Sequence, residues 1–252
     1  MRSKEGFIWV HAYCTLFLLY LERMFWYNIR VNRLRHFLLD LGFQIPNART
    51  YINIAAICPA TEALGPGMRG AVWVQGCPFN CPGCIAPDWI PFHKAQLMRP
   101  DEVVDELFSS DNLDGITFSG GEPMLQAEGL ARVAQLARQR KDVNFICFTG
   151  YRYEALINKP PSAGVTEFLH YIAVLIEGPY ISKHDNGLGL RGSNNQRIIH
   201  ISPRLMDYDF ENCLRRVELH IRDGEILVVG IPSKNIESSM SLLTKSLYEG
   251  KG

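Results

Sequence analysis

Gly115-Ile116-Thr117-Phe118-Ser119-Gly120-Gly121-Glu122-Pro123 is a short apolar run that stops at paired glycines and a proline. The run reads as a β-strand. The proline suits the first turn of a helix, and Leu130, Val133, Leu136 and Ala137 then recur at helical spacing to about Lys141. Working outward, the same alternation repeats on both sides. Upstream, Ala71 to Val74 is a compact strand ending at Gly76, and a helix over Arg99 to Ser109 follows it with Val103, Val104, Leu107 and Phe108 on one face. Downstream lie a strand over Val143 to Phe148, a weaker helical stretch from Tyr153 to Tyr171 broken by Pro160-Pro161, and a strand over Ile172 to Ile176. Strands alternating with helices predict βαβ units and an α/β fold with a parallel sheet or barrel. Near the end, Val217 to Ile221 alternates apolar with polar, Asp223-Gly224 turns the chain, and Ile226 to Val229 completes a C-terminal antiparallel hairpin.

The strand ends carry the polar loops. Gly76 to Cys84, Ser119 to Glu122, Thr149 to Tyr151 and Glu177 to Pro179 each follow a strand, and in parallel α/β folds those ends converge on one face. The first of these loops holds three of the seven cysteines: Cys77, Cys81 and Cys84 form a C-x3-C-x2-C run. Such clustering predicts metal binding in a reducing compartment, not a disulfide framework. Thiolates are soft ligands for iron–sulfur clusters or zinc. Three thiolates around a cubane would leave one iron open to an outside ligand, whereas electron-transfer clusters use four. Zinc, completed by His93 or Cys58, is the competing reading. In the second loop, Ser119-Gly120-Gly121 could present backbone amides to a carboxylate, and Glu122 could accept from an ammonium group. The same residues also serve as plain turn chemistry.

Together these two loops resemble the radical S-adenosylmethionine superfamily, and within it the activating enzymes of glycyl-radical enzymes, the anaerobic ribonucleoside-triphosphate reductase activating group above all. The segments 148–151, 175–180 and 190–197 are similar to that group, and the likeness runs from about Tyr51 to Pro232. The resemblance implies a partial (β/α) barrel of the radical SAM type. It also implies a [4Fe–4S] cluster on Cys77, Cys81 and Cys84, with S-adenosyl-L-methionine chelating the fourth iron beside Ser119, Gly120, Gly121 and Glu122. The reaction implied is reductive cleavage to a 5′-deoxyadenosyl radical that takes a hydrogen atom from a glycine of a separate partner chain. The implied electron donor is flavodoxin- or ferredoxin-like. No catalytic acid or base is needed. Many members carry an aromatic residue before the third cysteine; Gly83 stands there, so the adenine contact falls to backbone groups such as that of Gly83, to Ile85 or to another strand end. Arg191 and Arg197 face either the cofactor or the partner, or are solvated loop arginines. A small-molecule or nucleobase substrate, as in deazaguanine synthases, and a non-catalytic cluster or zinc module are the other readings.

Lys plus Arg and Asp plus Glu number 26 each, so charge gives no reason to expect nucleic acid. Residues 1–48 are rich in aromatic and basic side chains and read as an extension to a domain spanning 49–252, either dispensable or preceding a later start such as Met24. Its apolar run Phe7 to Leu21 contains His11 and falls short of the roughly 20 residues that cross a bilayer, so no membrane association and a cytoplasmic location are expected.

Overall fold

The computed structural model describes residues 50–110, 112–222 and 225–233. The extension at 1–48 and the Asp223-Gly224 turn lie outside the described residues. Seven strands form one mixed sheet: β1 (Ile52–Thr61), β2 (Arg69–Val74), β3 (Gln96–Met98), β4 (Gly115–Gly120), β5 (Asn144–Thr149), β6 (Ile172–Glu177) and β7 (Arg197–His200), in the order β3-β1-β2-β4-β5-β6-β7. The central four, β2, β4, β5 and β6, are parallel. Their sequences are apolar on both faces because both faces are covered, as in Ile172–Glu177, which is buried throughout.

The expectation of a parallel sheet holds for the centre of the sheet and not for its edges. β1 runs antiparallel to β2, and β7 runs antiparallel to β6. β1 carries Pro59, which cannot donate to a ladder. It is tolerated because β3 pairs only with Ile52 to Ile54 of β1, and the β1–β2 register slips between Cys58 and Thr61.

Four helices cover one face: α1 (Pro100–Leu107), α2 (Ala127–Arg140), α3 (Tyr153–Asn158) and α4 (Val165–Tyr171). Glu102 Oε2 caps α1 by accepting from the Arg99 amide at 2.7 Å. Residues 123–126 form a 3-10 turn, so α2 begins at Ala127 and not at Pro123. Leu130, Val133, Ala134 and Ala137 of α2 are buried in the same core as Phe118, whose ring packs edge-on against Phe168 of α4 at 5.2 Å. Fully burying one such side chain is worth about 1.5–3 kcal/mol. A separate two-stranded antiparallel sheet, β8 (Val217–Arg222) with β9 (Glu225–Gly230), is the expected hairpin. It packs through Val229 on Ala71 and Trp73 at the opposite face of the large sheet. Glu218 and His220 of β8 turn towards β1: Thr61 Oγ1 donates to Glu218 at 2.7 Å, and Cys58 Sγ lies 3.7 Å from the His220 ring nitrogens.

Arg69, fully buried, plugs the amino-terminal end of the parallel strands. Its guanidinium donates to Thr117 Oγ1 at 2.7 Å, Asn144 Oδ1 at 2.8 Å and the Ile116 carbonyl at 3.0 Å. Burial pushes its pKa down to about 9, so it stays cationic at neutral pH. Gly115 leaves it room: a Cβ there would lie 2.4 Å from Nη1. Replacing Arg69 with Met keeps much of the volume but strands these acceptors. The variant should lose about 3 kcal/mol of stability, read as a lower urea midpoint with unchanged slope.

Candidate functional site

The carboxyl ends of the parallel strands open into one cleft of about 190 Å³. Cys77, Cys81 and Cys84 line it after β2, Ser119 to Glu122 after β4, Phe148 to Gly150 at the end of β5, and Gly178 to Tyr180 after β6. All four polar loops therefore meet in one place. Gly83 and Ile85 line it as well.

The cysteine loop is closed on itself. Amides of Gly76 and Cys77 donate to the carbonyls of Trp89 and Ile90, both at 2.9 Å, and Gln75 Nε2 donates to the carbonyls of Asp88 and Pro91. The three thiols are partly exposed, and all six cysteines among the described residues are free. Burial raises the Cys77 and Cys81 pKa values, opposed by backbone N–H donors from Phe79 and Tyr180 respectively. Those amides are the kind of donor that tunes a metal-bound thiolate. Among the described residues no three His, Cys, Asp or Glu side chains converge on a single ion. His93 is exposed, and Cys58 is buried and donates to the Ala60 carbonyl, so neither completes a zinc site in the cleft. Three soft donors on one short loop at the mouth of a cleft fit a cluster that takes one thiolate per iron.

The glycine loop differs from expectation in one respect. The Gly121 amide donates to the Val74 carbonyl at 2.6 Å and the Glu122 amide to the Gly76 carbonyl at 2.8 Å. These N–H groups are consumed inside the protein, which corrects the reading of the loop as an amide nest for a carboxylate. The glycines serve a close approach of backbone to backbone instead. Glu122 is likewise occupied. Its Oε1 accepts from the Met124 amide at 2.9 Å and from Thr149 Oγ1 at 2.7 Å, and its Oε2 accepts from the Gly150 amide at 2.8 Å. A carboxylate has about four acceptor positions, and these contacts use three of them.

Burial lifts the Glu122 pKa to about 7 from an ordinary value of 4.5. The folded state thus holds a proton that the unfolded state has released, and stability should fall as pH rises from about 4.5 through 7. Urea midpoints measured across that range should decline for the native chain, and Glu122→Gln should remove that part of the slope.

Sequence reasoning gave no individual role to Gln196 or Glu177, which brace the far wall. Buried Gln196 accepts from the amides of Gly192 and Ser193 and donates to the Gly178 carbonyl at 2.8 Å. Buried Glu177 pairs with Arg152 at 3.0 Å and with Arg197, which also holds Glu154. Arg191 donates to the Gln196 carbonyl at 3.1 Å, and its side chain is only 13% exposed. Both candidate arginines are therefore engaged in holding loops.

Residues 63–199 match the family described as a 4Fe-4S single cluster domain. The chain belongs to that family. The family's cofactors are a [4Fe–4S] cluster and S-adenosylmethionine. Relatives agree with this placement. The anaerobic ribonucleoside-triphosphate reductase-activating protein of Vibrio cholerae is 32% identical over 158 residues, covering 59% of this chain and 97% of the relative. The protein of the same name from Escherichia coli is 30% identical over 163 residues, 60% of this chain and 99% of the relative. A pyruvate formate-lyase-activating enzyme from Clostridium pasteurianum is 32% identical over 94 residues, 35% of this chain and 40% of its own length. No helix among the described residues is long and apolar enough to cross a membrane.

Proposed function

We propose that this chain is a radical-generating activase that makes a glycyl radical on a separate partner enzyme of the anaerobic ribonucleotide reductase type. One observation carries the reading: three free thiols and the Ser119 to Glu122 loop line a single cleft at the ends of four neighbouring parallel strands. Cys77, Cys81 and Cys84 would hold the cluster. When bound, the cluster supplies one electron to the sulfonium of S-adenosylmethionine, which splits into methionine and a 5′-deoxyadenosyl radical.

The chain's own part is placement and exclusion. Ser119, Gly120 and Gly121 wall the methionine half, and the Glu122 carboxylate orients its ammonium. The backbone of Gly83 and the side chain of Ile85, beside Cys84, are assigned to the adenosine half. Phe79 stacks over Gly150 and meets Tyr151 edge-on at 4.8 Å, so an apolar rim limits water at the reacting centre. No side chain has to move a proton. The parallel run of β2, β4, β5 and β6 with helices on one face supports a partial barrel of the radical SAM type. A flavodoxin- or ferredoxin-like donor and a cytoplasmic location, where thiols stay reduced, complete the reading.

Anaerobic reconstitution tests it. The protein should turn brown, retain about four iron atoms and release 5′-deoxyadenosine when a one-electron reductant is added. A colourless protein holding one zinc ion would refute the proposal.

A further inference from the structure

Beside the cleft lies a second pocket, of about 210 Å³, that shares Trp73, Ile85, Ala86 and Trp89 with it on one side and Gly230 and Pro232 on the other. Val228 of β9 belongs to the side pocket alone. The two indoles lie 5.7 Å apart at 43°, and among the described residues no charged side chain lines the space. An apolar cavity of roughly 150 Å³ holds a benzene ring, so this one has room for a phenyl or a long aliphatic group.

We propose that this pocket receives an apolar side chain next to the reacting glycine of the partner chain, and so selects the peptide that the radical attacks. The inference rests on the reading of the cleft as a radical-generating site. Two reactants must meet there. The polar groups assigned to the cofactor (Ser119, Glu122) come from the end of β4 and the loop after it. The side pocket instead lies between the segment after the cysteines and the hairpin. A purine placed there would lose water from several ring nitrogens without charged or amide side chains to replace it, whereas an apolar side chain loses nothing and gains burial. Occupancy would hold the neighbouring Cα in the cleft. There a homolytic C–H cleavage passes one hydrogen atom to the 5′-carbon and leaves the unpaired electron on the glycine.

The test uses the full-length, reconstituted protein, a one-electron reductant and blocked heptapeptides, each with one Cα-dideuterated glycine flanked by Phe, Leu, Ser or Asp. Deuterium in 5′-deoxyadenosine is read by mass spectrometry, and peptide affinity by tryptophan fluorescence. Phe and Leu peptides should bind and transfer deuterium at least about tenfold better than Asp peptides, as burial of one apolar side chain implies. Val228→Trp fills the pocket and should erase that preference while peptide-free 5′-deoxyadenosine formation stays the same. Val228→Ala enlarges it and should shift preference from Leu towards Phe. Equal affinity and transfer for all four peptides, or no transfer while cleavage proceeds, would overturn the proposal. So would a Val228→Trp protein that keeps the preference, or one whose peptide-free cleavage falls in parallel, which would put adenine in the pocket. Wild-type protein that forms no 5′-deoxyadenosine would instead sink the reading of the cleft itself.

Discussion

Cys81→Ala, purified and reconstituted without oxygen, should be nearly colourless, and its 5′-deoxyadenosine formation should fall by more than about a hundredfold, the most that losing an outer-shell partner alone can cost a metal site. The reasoning starts from the loop. Cys81 sits between Cys77 and Cys84 at the cleft mouth, and the Tyr180 amide donates to its sulfur. No other cysteine among the described residues can take its place: Cys147 is buried in β5, Cys58 packs between β1 and β8, and Cys213 lies in the core cluster beside Tyr208. Because the side chain is on a loop and only partly buried, its removal should leave the urea midpoint within about 1 kcal/mol of the native value. Cys58→Ala and Cys213→Ala should keep the colour and the cleavage. Iron content and activity that survive Cys81→Ala would remove this residue from the ligand set. A lost midpoint would show a folding defect and not a missing ligand.

The cysteine loop was legible because its chemistry is local: three soft donors within eight residues need no tertiary information. The central strands were legible for a related reason. Sequences such as Ile172–Glu177 are apolar on both faces, and only a strand covered on both sides tolerates that. The edge strands were not. β7 is four residues long with exposed ends, and β1 contains a proline, so neither shows clean alternation, and nothing local states whether a neighbour runs parallel or antiparallel. Charged residues misled for the same reason. Arg69 reads as an ordinary basic residue, yet its partners are Thr117 and Asn144, 48 and 75 positions away. Arg197 looked available for a cofactor or partner until Glu177 and Glu154 were seen to hold it.

The paired glycines show where local reading stops, and they give the second large effect. Gly121→Ala should cost about 2–4 kcal/mol and reduce retained iron along with cleavage, since overpacking and two broken buried hydrogen bonds act together. A Cβ at Gly121 would lie 2.3 Å from the Gly76 carbonyl oxygen and 2.7 Å from its carbon. Both neighbours are backbone, so no side chain can swing aside. Relief requires moving the end of β2, where the Glu122 amide holds the Gly76 carbonyl and the Gly121 amide holds Val74. Cys77 is the next residue, so the strain passes directly into the first thiolate. Gly187→Ala is the control: its φ of +75° disfavours a side chain, but nothing lies within 4 Å of the added Cβ. It should cost only the roughly 1–2 kcal/mol of a left-handed backbone and leave iron retention intact. A Gly121→Ala protein with native midpoint and full iron would mean that the two loops are not clamped together through their backbones. The glycine pair would then have to be explained by direct approach to a ligand, as the sequence alone first suggests.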